Sequence, residues 1–165
     1  MSENGAALRV RRLVPGDEAV LGKIRIAALT DSPFEFGSTL ERESAYTAAD
    51  WHRWITTSAV FVADGASGPC GLVAGAASRI DPSIAYLLAM WVRPESRGSS
   101  AADALIGAVV EWAREGSFTA VVLDVVRDNR RAQRVYERNG FALAGREKIR
   151  ERDGAIELEM RRALR

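Results

Sequence analysis

Met90-Trp91-Val92-Arg93-Pro94-Glu95-Ser96-Arg97-Gly98-Ser99-Ser100-Ala101-Ala102 joins an apolar run to an amphipathic one through a turn of small residues that follows Arg97. Small residues at a helix start leave backbone N–H groups uncovered, and the helix dipole favours negative charge there, so the junction predicts a seat for a phosphate. Upstream, Ile84 to Val92 reads as a long apolar strand that Pro94 stops. Downstream, from about Ser100 to Glu115, Ala101, Leu105, Ala108, Val109 and Trp112 fall on one helical face, and Gly116 ends the helix.

The rest of the chain alternates strand and helix patterns around this junction. Residues 8–14 alternate as a strand, and Pro15-Gly16-Asp17 opens a helix whose stripe of Ala19, Val20, Ile24, Ala27 and Ala28 runs to about Thr30. Asp31 to Ser38 is rich in breakers and predicts a loop. Thr47, with Asp50 three residues on, predicts the cap of a second helix burying Trp51, Trp54 and Ile55. Residues 59–64 and 70–80 read as strands around the turn Gly65–Pro69. Val121 to Val126 is nearly all apolar, as in a strand covered on both faces. Asn129 to Arg138 predicts a short helix ended by Asn139-Gly140, and two last strands flank Arg152-Asp153-Gly154. The order βααβββαβαββ predicts one α/β (α+β) domain over residues 1–165, a mixed sheet of about seven strands flanked by about four helices.

Composition narrows the function classes. The 165 residues carry 23 basic and 22 acidic side chains, which argues against a general nucleic-acid binder. Locally, residues 127–165 hold 12 Arg or Lys against 7 Asp or Glu, which suits either an anionic ligand or a solvated basic face. With one cysteine, Cys70, no internal disulfide forms, and with one histidine, His52, a histidine-based metal centre or triad lacks parts. Met1 to Ala7 shows no leader pattern and no run reaches membrane-spanning length, so the expected location is cytoplasmic, without membrane contact.

About 30 residues beyond the turn lies Asn129-Arg130-Arg131-Ala132-Gln133-Arg134-Val135-Tyr136-Glu137-Arg138-Asn139-Gly140-Phe141. Together, and in this order, the two segments resemble the signature of the GNAT N-acetyltransferases, most strongly from Leu87 to Phe141. The resemblance implies a GNAT-like, mostly antiparallel sheet, acetyl-CoA as co-substrate and no metal. It also implies that backbone groups of Met90, Trp91 and Val92 hold the pantetheine arm. Arg97, Gly98, Ser99, Ser100, Ala101 and Ala102 would seat the pyrophosphate, with Asn129 and Ala132 along the cofactor arm. Ser100 stands where the family has glycine, so it must keep φ negative and turn its side chain away; a Ser100–Asp103 capping pair is a second use for it. Asp103 departs from a small or basic residue. Its charge steadies the helix start but repels a pyrophosphate unless it faces away.

In the family the tyrosine matching Tyr136 points toward the thioester sulfur and can protonate or hydrogen-bond the departing thiolate; packing on its helix is the plainer use. Asp124, a lone acid in Leu123-Asp124-Val125, reads either as the base that deprotonates the amine or as a structural carboxylate paired with Arg127 or Arg131. The Asp124–Tyr136 spacing resembles the acid–tyrosine pair of the ribosomal-protein alanine N-acetyltransferases. Tyr86 occupies a position where many relatives carry a glutamate base. Phe34, Glu35 and Phe36 match the acceptor-selecting loop, which implies a small-molecule amine or a peptide N-terminus as acceptor; homodimers are frequent in the family. Two functions follow: acetyl transfer to a primary amine by direct attack, or a non-catalytic acyl-CoA-binding or regulatory module on the same fold.

Overall fold

The computed structural model of the chain describes residues 7–165, so the leader expectation at Met1–Ala7 lies, but for Ala7, outside the described residues. Seven strands form one sheet: β1 (Arg9–Arg12), β2 (Ala59–Gly65), β3 (Gly68–Ala77), β4 (Ile84–Val92), β5 (Ala120–Val126), β6 (Ala142–Ile149) and β7 (Ile156–Ala163). Their order across the sheet is β1-β2-β3-β4-β5-β7-β6, and every neighbouring pair is antiparallel except β4–β5. The expected mixed, mostly antiparallel sheet is therefore found.

Five helices flank it: α1 (Glu18–Asp31), α2 (Leu40–Ser44), α3 (Ala48–Thr57), α4 (Ala101–Glu115) and α5 (Arg130–Arg138). On one face, α1 and α3 bury Leu21, Ile24, Trp51 and Ile55 against Val60, Leu72 and Trp91 of the sheet. On the other, α4 buries Leu105, Ile106, Val109 and Val110 with Leu87, Val121, Leu123 and Tyr136. Close approach of α4 depends on glycines of β3. A Cβ at Gly71 would lie 2.7 Å from Leu105 and one at Gly75 2.7 Å from Trp112.

Helix α2 is the element that the sequence pattern did not predict. Leu40-Glu41-Arg42-Glu43-Ser44 has one apolar residue, so no hydrophobic stripe marks it. It forms because the Thr39 hydroxyl accepts the Arg42 N–H at 3.1 Å and because its inward residue is a charge. Glu43 is buried with Arg25 of α1, its two oxygens accepting from Nε at 2.8 Å and Nη2 at 2.9 Å. The Arg25 guanidinium also lies over Phe36 at 4.6 Å and Trp54 at 5.4 Å. Thr47 and Asp50 form the capping box that opens α3.

One strand pair is abbreviated. β4 and β5 share only the pairs Ile84–Ala120, Ala85–Val121 and Tyr86–Val122. On its other edge β4 pairs Leu88 with Ala74 and Trp91 with Leu72, so two residues of β4 face one of β3. Ala89 sits at φ +57°, a conformation that an L-residue adopts only when its surroundings hold it there. This bulge bends the last third of β4, whose edge from Leu88 onward is not paired with β5.

The buried ion pair yields a stability prediction. Glu43→Ala leaves Arg25 charged and unmatched and is expected to cost about 3–5 kcal/mol in urea unfolding, whereas the joint change Arg25→Met with Glu43→Leu costs much less. Equal losses for single and double variants would show that the pair does not anchor α2.

Candidate active site

The turn between β4 and α4 begins with a single 3-10 turn, Pro94–Ser96, and passes through Gly98 at φ +79° before α4 starts at Ala101. Glycine is thus used at Gly98. Ser100, at φ −76°, has ordinary helical backbone, so the first of the two conditions for a serine at that place, a negative φ, is met, and the residue itself lines the cavity beside this turn. Its hydroxyl makes no capping bond, so the alternative Ser100–Asp103 capping pair does not form. Ser99 serves the turn instead: its hydroxyl accepts the Ala101 N–H at 3.2 Å and donates to the Ser96 carbonyl at 2.5 Å. The N–H groups of Gly98, Ser100, Ala102 and Asp103 donate to no acceptor among the described residues. Four unpaired donors thus lie in and just before the first turn of a fifteen-residue helix, at the positive end of its dipole.

Asp103 is turned toward α5, where its Oδ1 accepts from Arg138 at 2.8 and 3.1 Å and from Asn139 Nδ2 at 2.8 Å. These contacts hold its carboxyl below the usual range, with Asn139 the larger influence and Arg138 next. The carboxylate is charged at neutral pH, but its charge is spent on α5.

A cavity of about 800 Å³ opens beside this turn. One wall is the unpaired end of β4 with Met90, Trp91 and Val92, another is Ser99, Ser100 and Ala102, and a third is Asn129, Ala132 and Tyr136 of α5. Ala101 does not reach it; its side chain is buried under α4. Asn129 caps α5, accepting the Ala132 N–H at 3.1 Å. Two turns on, Tyr136 is buried edge-on to Phe141 at 6.0 Å between centroids. Burial first, and the Glu35 charge second, push its phenol above the ordinary 10, so it is a proton-bearing donor throughout the neutral range. Its hydroxyl has no hydrogen-bond partner among the described residues. Sequence reading missed Arg131, Val135 and Arg138, which also line this cavity. Their spacing from Asn129 along one helix, together with the local excess of positive charge, was the available signal.

The loop after α1 closes the cavity from the opposite side. Glu35 Oε2 accepts from Asn129 Nδ2 at 2.6 Å, and Glu35 and Phe36 line the cavity. Phe36 is buried, while Phe34 is 69% exposed and outside the lining. The Arg97 guanidinium faces the strand: Nε donates to the Val92 carbonyl at 3.0 Å and Nη2 to Asp31 at 2.6 Å. Asp31 also accepts from Trp91 Nε1 at 3.0 Å, and these donors, Trp91 foremost, lower its carboxyl's pKa.

Asp124 is not in this cavity. Along β5, Leu123 and Val125 enter the core under α4, whereas Asp124 alternates to the other face with Val122. There it lines a second cavity of about 630 Å³ with Tyr86, Glu157 and Glu159. Lys148 of β6, rather than Arg127 or Arg131, donates to its Oδ2 at 2.8 Å. Tyr136 and Asp124 thus stand on opposite faces of the sheet, both near where β4 and β5 part. Among the described residues no cluster of His, Cys, Asp and Glu is placed to hold a metal ion, and no helix is long and apolar enough to cross a membrane.

Known proteins share this architecture. The chain superposes on a GNAT acetyltransferase from Streptococcus pneumoniae with a TM-score of 0.82 at 16% identity, covering 96% of this chain and 100% of that one. For the acetyltransferase YncA of Salmonella typhimurium, solved with its cofactor acetyl-CoA, the TM-score is 0.80 at 14% identity, over 97% and 95% of the two chains. For the PaiA N-acetyltransferase of Thermoplasma acidophilum, solved with coenzyme A, it is 0.73 at 17% identity, over 96% and 99%. No curated protein sequence is matched. At such identities the superpositions establish the fold, and the family rests on sequence: the acetyltransferase (GNAT) family model matches residues 24–141, which include both the turn and the Asn129–Phe141 helix, so the chain belongs to that family of acyltransferases.

Proposed function

We propose that the protein moves the acetyl group of acetyl-CoA to a primary amine by direct attack. One observation carries this reading. Gly98, Ser100, Ala102 and Asp103, whose N–H groups are unpaired, line one cavity together with the unpaired end of β4 and Tyr136. The amides receive the pyrophosphate, Met90 to Val92 pair with the extended arm, and the thioester comes to rest where the strands part.

A developing thiolate beside Tyr136 receives a hydrogen bond from the phenol. A free thiol has a pKa of about 8.5, below that of the buried phenol, so complete proton transfer from Tyr136 is uphill and its principal contribution is hydrogen bonding to the leaving sulfur. The amine arrives from the other face, where Asp124 takes its proton; the Lys148 ammonium must first yield its place on the carboxylate. Glu35 supplies negative charge on the acceptor side. The phosphates are held by the unpaired main-chain donors with Arg131, which lines the cavity with no acid partner among the described residues, while Arg97 and Arg138 would first have to exchange a carboxylate for a phosphate. The non-catalytic alternative, which drew on Ser100 and Asp103, gains no support from a serine with helical φ or a carboxylate turned toward α5.

Four measurements test this reading. A thiol-release assay over a panel of primary amines should show turnover. Tyr136→Phe should lower kcat by about 10²–10³ while the coenzyme A dissociation constant changes less than about threefold; binding without turnover on any amine would favour the non-catalytic module.

Asp124→Asn should lower the rate by about 10² or more at pH 7. That deficit should shrink toward pH 10, where an alkyl amine of pKa about 10.4 deprotonates unaided. A deficit independent of pH would remove Asp124 as the base.

Asp103→Asn frees Arg138 and removes a charge near the phosphates. It should tighten coenzyme A by about 2–5-fold, corresponding to 0.3–1 kcal/mol, while slightly lowering the melting temperature because the same charge steadies α4. Unchanged affinity would mean that Asp103 is electrically remote from the ligand.

A further inference from the structure

Arg150, the first residue after β6, is a buried guanidinium at the mouth of a turn, far in sequence from the loop it touches. Its Nε and Nη2 grip both oxygens of Asp153, at 2.9 and 2.7 Å, which places its charge beside a matched one. The remaining donors cross to the loop after α1: Nη1 reaches the Phe36 carbonyl at 3.1 Å and Nη2 the Phe34 carbonyl at 2.8 Å. Arg152 adds a bond to the Phe36 carbonyl at 2.8 Å. The Phe34 carbonyl belongs to the peptide that enters Glu35 and the Phe36 carbonyl to the peptide one residue beyond it, so the chain is tied to the β6–β7 turn both before and after Glu35. Within the loop itself the only backbone bond is from Glu35 N–H to the Ser32 carbonyl, at 3.2 Å. The position of the Glu35 side chain, and with it the 2.6 Å bond to Asn129, therefore depends on the opposite end of the sheet.

We propose that Arg150 is a positioning residue for the acceptor side of the site: by holding the Phe34 and Phe36 carbonyls it fixes Glu35 against Asn129, where the carboxylate meets a cationic amine. The planar fork is what the role requires. A lysine at 150 keeps the charge beside Asp153 but has no rigid fork with which to serve both loop carbonyls and both carboxylate oxygens. This inference rests on the acetyl-transfer reading and on Glu35 as an acceptor contact.

The test compares wild type, Arg150→Met, Arg150→Lys and Glu35→Ala. The Asn129 side-chain amide resonances report directly on the Glu35 contact, and those of Asn139, bonded to Asp103 and the Val135 carbonyl, serve as an internal control. Arg150→Met is expected to move the Asn129 resonances to their position in Glu35→Ala, leaving Asn139 in place and coenzyme A affinity within about twofold of wild type. Arg150→Lys is expected to move them part of the way, and it decides the matter should the methionine variant fail to fold. With any amine that the wild type acetylates, KM should rise about tenfold in Arg150→Lys while kcat changes less than about threefold. Asn129 resonances unmoved in a folded Arg150 variant, or an unchanged KM, would overturn the proposal. Failure of the wild type to bind coenzyme A would instead strike the acetyl-transfer reading, since the Asn129 measurement judges Arg150 without it.

Discussion

The site exists because β4 and β5 run parallel for three residue pairs and then separate. Backbone N–H and C=O groups inside a protein are costly to leave unmade, so a strand edge without a partner is a standing vacancy for something extended and amide-bearing. The bulge at Ala89, held at positive φ, bends β4 away from its neighbour. Helix α4 follows β4 after the turn of residues 93–100, and the start of the helix lines the same cavity as the unpaired end of the strand. In the proposed function the opening between the strands takes the extended arm of the cofactor and the start of α4 takes its phosphates.

Two of the three arginines that line the slot already have acidic partners, and Arg131 has none among the described residues. Arg97 pairs with Asp31 and Arg138 with Asp103, both pairs partly exposed. Such pairs are worth about 0–1 kcal/mol each, so a phosphate can exchange for a carboxylate at little cost. Donors there with no partner to give up, among the described residues, are the amides of Gly98, Ser100, Ala102 and Asp103, the Tyr136 hydroxyl and the Arg131 guanidinium. A protein of net charge +1 can thus present an anion site without a free cluster of arginines that would attract any polyanion.

Elements governed by local rules were legible in the sequence: strands by alternation, α3 by its Thr47–Asp50 cap, α4 by its apolar face and α5 by Asn129 at one end and Asn139-Gly140 at the other. The seven strands and their chain order followed from those rules. What escaped depends on contacts distant in sequence. Helix α2 is stabilised by a buried ion pair between residues 18 apart, which no hydrophobic pattern records. The orientation of Arg97 is set by Asp31, 66 residues away, and the partner of Asp124 is Lys148 on a strand two positions across the sheet. Motif matching assigned roles to Arg97 and Asp124 by position, but position along the chain does not say what a side chain faces. Phe34 and Phe36 show the same limit: they are two residues apart in one loop, yet one is solvent-exposed and the other lies under a guanidinium.

The two faces of the sheet divide the proposed reaction in a way that its stereochemistry favours. A nucleophile and a leaving group occupy different sides of a tetrahedral carbon, so groups that serve them do best on different sides of the slot that holds the carbonyl. Tyr136 belongs to the face covered by α4, and Asp124 to the face where α1 and α3 pack farther along the sheet. Between them the backbone of β4 and β5 is the partition, and it is open only where the strands part. In the proposed reaction the acetyl donor would be held by elements after residue 84, and the acceptor by the loop after α1, which lines the same cavity and is tied to the turn after β6. The family model spans residues 24–141, so it takes in the loop after α1 as well as the β4–α4 turn and α5, whereas Arg150, whose guanidinium holds that loop's Phe34 and Phe36 carbonyls, lies beyond it.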